Sequence, residues 1–214
     1  LNIDRIAPTL PRDIDRDQER RQTFMQDAYF FGYGSLVNCA THDFTDAHTA
    51  RLAGWRRVWR HTDLRPVAFL TVVPDADAEI EGLIAPVPGA DWAALDQREA
   101  AYLRAPAAAQ VRHSLPHAPE IAVYTIPEGR HGAPDAARPI LLSYLDVVVQ
   151  GYLREFGEDG VGRFFDTTHG WDAPILDDRA APRYARHQRL SAEERALTDS
   201  HLTRLDPPII TAQG

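Results

Sequence analysis

Residues 29–36 read Tyr29-Phe30-Phe31-Gly32-Tyr33-Gly34-Ser35-Leu36. An aromatic run favours an extended strand, and glycines at its end favour a tight loop. The stretch therefore predicts a buried first strand, Tyr29–Tyr33, turning at Gly34-Ser35-Leu36. Successive backbone N–H groups in such a loop form an anion-holding nest, and glycine lets the backbone approach a carboxylate closely. The same residues also fit a plain tight turn. Two other chemistries are excluded here. A nucleophile elbow needs glycines two residues either side of the serine, where Ser35 has Tyr33 and Val37. Gly32-Tyr33-Gly34 lacks the third glycine of a dinucleotide-binding fingerprint.

Outward from this point, strands are expected at Ala50–His61, Val67–Val73 and Glu79–Ala85, the last two separated by a turn at Pro74–Asp77. The period then changes. Asp91–Ala100 has helical composition, with Trp92, Leu95 and Glu99 on one face. Strands follow at Ala107–Arg112 and Glu120–Ile126. In Ile140–Phe156, Tyr144, Val148 and Tyr152 recur every four residues, and Gly157 provides a helix stop. A loop-rich stretch over 160–182 leads to a last helix, Ala192–Leu205, with Ser191 as N-cap and Glu194 completing a capping box. Residues 1–27 read as an irregular lead-in with a short helix near Asp15–Met25. No repeat or linker divides the chain, so the reading is one α+β domain, strands first and helices after.

The chain has 214 residues, a formal charge of −8, 44% hydrophobic and 25% charged residues. That composition sustains a core and excludes wholesale disorder. Net acidity argues against a nucleic-acid partner. No lysine occurs; all 23 basic residues are arginine. A Walker-A phosphate loop, a pyridoxal Schiff base and a lysine nucleophile are thereby excluded. The lone Cys39 rules out an intrachain disulfide and suits a reducing compartment. With no membrane-length apolar run and no visible signal peptide, the expected address is the cytoplasm. His113 and His117 are four apart, but Pro116 breaks the helix that would aim both at one metal, and no other ligand spacing is present. No metal is expected.

Glu99 lies within Leu95-Asp96-Gln97-Arg98-Glu99. On an inward helix face beside Trp92 and Leu95 its carboxyl would be desolvated, with its pKa raised towards neutrality. The plain alternative is an exposed acid paired with an arginine such as Arg104. Taken alone, each of the two features favours its plain reading.

Together they resemble the γ-glutamylcyclotransferase superfamily, which carries a Tyr-Gly-Ser-Leu or Tyr-Gly-Ser-Asn loop at its first strand and a Leu-Asp-x-x-Glu segment further on. Here these are Tyr33-Gly34-Ser35-Leu36 and Leu95-Asp96-Gln97-Arg98-Glu99. Arg98-Glu99 followed by Tyr102 is similar to the glutathione-degrading, ChaC-like branch. Pro139-Ile140-Leu141-Leu142-Ser143-Tyr144 resembles the family's Pro-Ser-x-x-Tyr stretch, whose tyrosine lines the pocket. The family glutamate is often followed by glycine, where this chain has Ala100.

The resemblance implies a small mixed β-barrel flanked by helices over residues 28–157. Residues 158–214 would then form a C-terminal helical extension packing on the same domain. It implies cyclisation of a γ-glutamyl group to 5-oxoproline with release of an amine, amino acid or peptide, glutathione being one candidate donor. No cofactor and no metal is implied. Glu99 would carry the proton; the amides of Gly34, Ser35 and Leu36 would grip the substrate carboxylate; Tyr33 and Tyr144 would wall the pocket. The partner implied is a small γ-glutamyl molecule, with no nucleic acid and no membrane. The oligomeric state, monomer or homodimer, is left open. Three other readings stand: a non-catalytic binder on the same fold, a Cys39-dependent acyl transferase or hydrolase, and an interaction module using the Phe164–Trp171 surface. The segment Phe164–Leu190 is expected to pack down as a C-terminal wrap.

Overall fold

The computed structural model describes residues 28–211. The lead-in, with its expected helix near Asp15–Met25, lies outside them. Strand β1 (Ala28–Gly32) is buried along its whole length. It pairs in parallel with β6 (Glu120–Thr125) and antiparallel with β3 (Ala68–Pro86). A strand covered on both faces needs the unbroken apolar run seen in the sequence. The sheet runs β4 (Leu103–Pro106), β6, β1, β3, β2 (His48–His61), β5 (Val111–His113), with β8 (Thr168–His169) also on β2. It curls into a half-barrel accompanied by three helices, the α+β class expected.

Three local expectations are corrected. Pro74 does not end a strand. Residues 68–86 form one strand whose two halves both pair with β2. The register jumps from Ala53↔Glu79 to Trp55↔Pro74, so residues 75–78 stand out opposite Gly54 (φ 78°). Proline is tolerated in a sheet where the ladder is already interrupted. The expected strand Ala107–Arg112 is instead a turn at Ala107–Gln110, closed by Gln110 N–H to the Ala107 carbonyl at 2.9 Å, with only Val111 onwards in β5. Alanines supply none of the side-chain packing that holds a strand. The neighbouring β4 escaped detection because it is a short edge strand ending in Pro106.

The third correction concerns the helices. Ile140–Leu141 form β7, in a small parallel sheet with β9 (Ile175–Asp177) and β10 (Ile209–Thr211). After α1 (Ala93–Arg98), helix α2 runs from Leu142 to Asp166. Gly157 (φ 69°, ψ −174°) does break it, but the chain resumes as helix where a loop was expected. Glycines at 157, 160 and 162 weaken helix propensity there. Burial of Val161, Phe164 and Phe165 in the main core overrides it. The last helix, α3 (Ala192–Leu205), starts on Ser191 with the full capping box.

One buried cation ties the later chain to the sheet. Arg57 is 1% exposed. It donates to the Tyr152 hydroxyl at 2.6 Å, the Glu81 carbonyl at 2.8 Å, Thr167 Oγ1 at 2.6 Å and Thr168 Oγ1 at 3.1 Å. Burial pushes its pKa down, opposed by the nearby Tyr152 and Glu81.

Candidate active site

Beyond β1 the chain turns through a single 3₁₀ turn, Ser35–Val37, closed by Val37 N–H to the Gly34 carbonyl at 2.9 Å. Both glycines answer a close approach. A Cβ on Gly32 would lie 2.7 Å from the Leu36 Cβ, and one on Gly34 would lie 2.7 Å from the Tyr144 hydroxyl. Tyr144 reaches the loop from the first turn of α2. That helix start is fixed by Asp178, which accepts from Ser143 N–H at 2.8 Å and Ser143 Oγ at 2.6 Å. The Tyr144 hydroxyl thus lies close against the loop at Gly34.

Glu99 is not on a helix face, as the sequence predicts, but caps the C-terminus of the six-residue α1 (φ −98°, ψ 31°). Its N–H bonds the Leu95 carbonyl at 2.9 Å. The side chain is 17% exposed. Burial raises its pKa; Arg98, Arg186 and Arg65 oppose that without reversing it. Arg104 is not its partner. That guanidinium pairs with Asp96 at 3.1 Å and lies over the Trp92 ring. The partner is Arg98, whose Nε donates to Glu99 Oε1 at 3.1 Å. The rest of the Arg98 fork reaches the Thr41 carbonyl at 3.0 Å, Thr41 Oγ1 at 3.2 Å and Ser35 Oγ at 3.4 Å. One arginine thus spans the carboxylate and the loop.

Two cavities meet at these residues. The inner is lined by Tyr33, Gly34, Ser35, Leu36, Glu99 and Tyr144 together with Leu70, Tyr102 and Tyr124. All six residues singled out in the sequence therefore border one space. The outer shares Ser35, Leu70, Glu99, Tyr102 and Tyr144 with it and adds Arg65, Arg98, Tyr184 and Arg186. The tyrosine hydroxyls are anchored. Tyr33 donates to the Tyr124 carbonyl at 2.6 Å and Tyr102 to the Leu70 carbonyl at 2.9 Å. Burial pushes the pKa values of Tyr33, Tyr102, Tyr124 and Tyr144 up, so these groups stay protonated at neutral pH. Of the inner cavity's lining side chains, Glu99 is the one carboxyl, and burial raises its pKa, which suits it to exchange a proton.

Sequence reasoning missed Arg65, Tyr184 and Arg186 altogether, and quoted Arg98 and Tyr102 without a role. The segment expected only to pack divides its labour. Phe164, Phe165 and Trp171 enter the core, whereas Tyr184 stands edge-on to Tyr144 (5.0 Å, 88°) and Arg186 lines the outer cavity. Cys39 lies outside both cavities, exposed, its Sγ 3.9 Å from Glu155 Oε1. Partial burial and the Glu155 charge raise its pKa, the opposite of what a nucleophilic thiol requires. Among the described residues no group of three or more His, Cys, Asp or Glu side chains is placed to hold a metal ion, and no helix is long and apolar enough to cross a membrane.

Residues 28–131, which hold the loop, Glu99, Arg98, Tyr102 and Tyr124, match the family model for ChaC-like proteins. Just under half of the chain is thus similar to ChaC-like proteins. The fold is similar to that of YkqA from Bacillus subtilis, with 17% identity and a TM-score of 0.52 over 69% of this chain and 55% of that one. The chain thus spans about half the length of that protein. A human uncharacterized protein (13% identity, TM-score 0.49, 80% of this chain and 97% of that one) also resembles it. So does a γ-glutamyl cyclotransferase (12%, TM-score 0.48, 80% and 98%). No curated protein matches the chain in sequence. Of the residues lining the two cavities, Tyr144, Tyr184 and Arg186 come from beyond the matched residues.

Proposed function

We propose that this chain is an enzyme of the γ-glutamylcyclotransferase type. The α-amine nitrogen of the substrate's γ-glutamyl group attacks the γ-carbonyl carbon of the same group. The new C–N bond closes the five-membered lactam of 5-oxoproline, and the old C–N bond breaks to release the amine or peptide. The ammonium must lose a proton before attack, and the departing nitrogen must gain one. Glu99 takes the first proton and delivers it to the departing nitrogen; the second proton, shed by the attacking nitrogen as it becomes the lactam N–H, ends on the released amine as its ammonium, so the reaction balances without water or redox change. The amides of Gly34, Ser35 and Leu36 hold the substrate α-carboxylate, while Tyr33 and Tyr144 keep the glutamyl chain folded. Orientation of this kind is worth about 7–11 kcal/mol of barrier.

One observation carries the reading. The proton-exchanging Glu99, its pKa raised by burial, lines the same cavity as the glycine loop. Domain limits of 28–157 and 158–214, and a cytoplasmic address suited to a lone cysteine, belong to the same proposal. The test is a panel of γ-glutamyl compounds assayed for released 5-oxoproline, with wild type beside Glu99→Gln. The expected result is release by wild type and a loss of about 10²–10⁴-fold in the variant. Unchanged turnover in Glu99→Gln removes Glu99 from the mechanism, and no release from any donor removes the reaction.

A further inference from the structure

Five arginines stand between residues 179 and 195, against two glutamates, in a chain whose formal charge is −8. Four of them lie on the segment 179–190, which crosses from β9 towards α3. That segment has two faces. One presents Tyr184 and Arg186 to the outer cavity beside Glu99. The other presents His187, Gln188 and Arg189 to a separate cavity, completed by the Asp146–Arg179 pair and by Arg195 of α3. None of the residues lining this third space borders the two around Glu99.

The carboxylates that frame it are already matched. Asp146 accepts from two nitrogens of Arg179, both at 2.8 Å, and the third nitrogen reaches Asp199 at 2.7 Å. Asp178 accepts from Ser143 and from Arg183 N–H at 2.8 Å. Glu194 accepts from Ser191 N–H at 2.8 Å and from Gln150 at 2.9 Å, and lies 3.8 Å from Arg154. Arg189 and Arg195 have no such match. Both are exposed, and among the described residues neither guanidinium makes a hydrogen bond or an ion pair. Two uncompensated cations at one cavity repel, and an anion between them removes that repulsion. A single guanidinium fork satisfies the two oxygens of a carboxylate; two forks call for an anion with more acceptors and more charge. A phosphate group offers three free oxygens and a charge of about −1.5 to −2 at neutral pH. We infer that this cavity is a binding site for a phosphate group, free or as a monoester, held by Arg189 and Arg195 and separate from the cavities at Glu99. It lies behind the wall that carries Tyr184 and Arg186, and it stands whether or not the chain is a cyclotransferase.

Titration calorimetry of the full chain at low ionic strength tests this with three probes: inorganic phosphate, glycerol 3-phosphate and acetate. The two phosphates are expected to bind more tightly than acetate. Arg189→Gln and Arg195→Gln should each weaken phosphate binding about tenfold, which is ~1.4 kcal/mol. The pair should abolish it, and added salt should weaken it. Arg186→Gln, on the opposite face of the same segment, should leave it within about twofold, since solvent and salt screen a charge that does not touch the ligand. The substituted arginines are exposed, so circular dichroism of the variants should match the parent. Tighter binding of the ester supports the site and assigns it to a phosphorylated molecule; equal or weaker binding of the ester supports it and assigns it to the free ion. No binding of either phosphate overturns the inference, as does acetate binding equally well. Binding that survives loss of both Arg189 and Arg195, or that falls as far in Arg186→Gln, overturns it too by placing the phosphate elsewhere. Binding is read without turnover, so none of these outcomes bears on release of 5-oxoproline.

Discussion

The contact between Gly34 and Tyr144 can be tested by making it worse and then relieving it. A Cβ at position 34 would sit 2.7 Å from the Tyr144 hydroxyl, whereas ordinary contacts begin near 3.4 Å. The Tyr144 ring is held from two sides, edge-on by Trp59 (5.9 Å) and by Tyr184 (5.0 Å), so it cannot swing away without disturbing neighbours. Forcing an extra methyl into such a packed place costs about 1–3 kcal/mol. With the hydroxyl removed, the nearest atoms are Leu70 Cδ2 at 3.6 Å and the ring carbon Cζ at 3.9 Å, both ordinary contacts. Tyr144→Phe alone removes a buried hydroxyl and leaves the ring in place, a loss of about 0.5–1.5 kcal/mol. The double variant Gly34→Ala/Tyr144→Phe should therefore be more stable than the two single losses predict, by about 1 kcal/mol or more. Any cost alanine brings to the backbone itself enters both arms of the cycle and cancels. Urea denaturation with unchanged m-values reads the four stabilities. Losses that add to within about 0.5 kcal/mol would refute the steric account of Gly34.

Two further outcomes follow from the charges. Since Glu99 must be ionised to accept a proton and burial raises its pKa, the acid limb of kcat/KM should fall away above the ordinary carboxylate value of 4.5 and should vanish in Glu99→Gln; a limb at or below that value contradicts the burial argument. By the same sign, folding stability should decline as pH rises through the raised value in wild type and not in Glu99→Gln, which a urea series against pH measures. Arg57→Ala should cost about 3 kcal/mol or more, because it strands Thr167, Thr168 and Tyr152 oxygens and leaves a cavity, and it should speed amide exchange near residues 167–168; a loss under about 1 kcal/mol would show that the Arg57 tie does not hold this segment.

What the sequence conveyed of the fold is what neighbours in sequence decide. β1 was legible because five adjacent residues are all buried, and α3 because Ser191 and Glu194 form its cap with each other. The misreadings occur where a partner decides. Pro74 reads as a strand breaker until Gly54 is placed opposite, and the register jump absorbs the disruption. Residues 160–166 read as loop on their glycines, yet Val161, Phe164 and Phe165 reach the core. Gly160 is required there, since a Cβ at that position would lie 2.1 Å from the Phe156 Cβ. Propensity ranks local conformations; it does not register a hydrophobic face that only the assembled sheet can cover.

The candidate site divides along the same line. The loop and Glu99 could be picked out because two short segments held unusual residues in a fixed order, and Tyr144 because it opens a strongly periodic helix. The groups that set the chemistry of Glu99 left no such mark. Arg65, Arg98 and Arg186 come from three separate segments, two of them irregular in structure. Yet their combined pull does not reverse the effect of burial, and the Glu99 pKa stays raised. Desolvation is therefore the larger influence, and the arginines act as a brake on it. A carboxyl in this position is sensitive to whatever fills the outer cavity. An anion drawn to Arg65 and Arg186 would neutralise part of the brake and strengthen the proton affinity of Glu99. Binding of an anion there and tuning of the proton affinity of Glu99 would then be one electrostatic event, and that coupling is written in the closure of the chain rather than in any stretch of it.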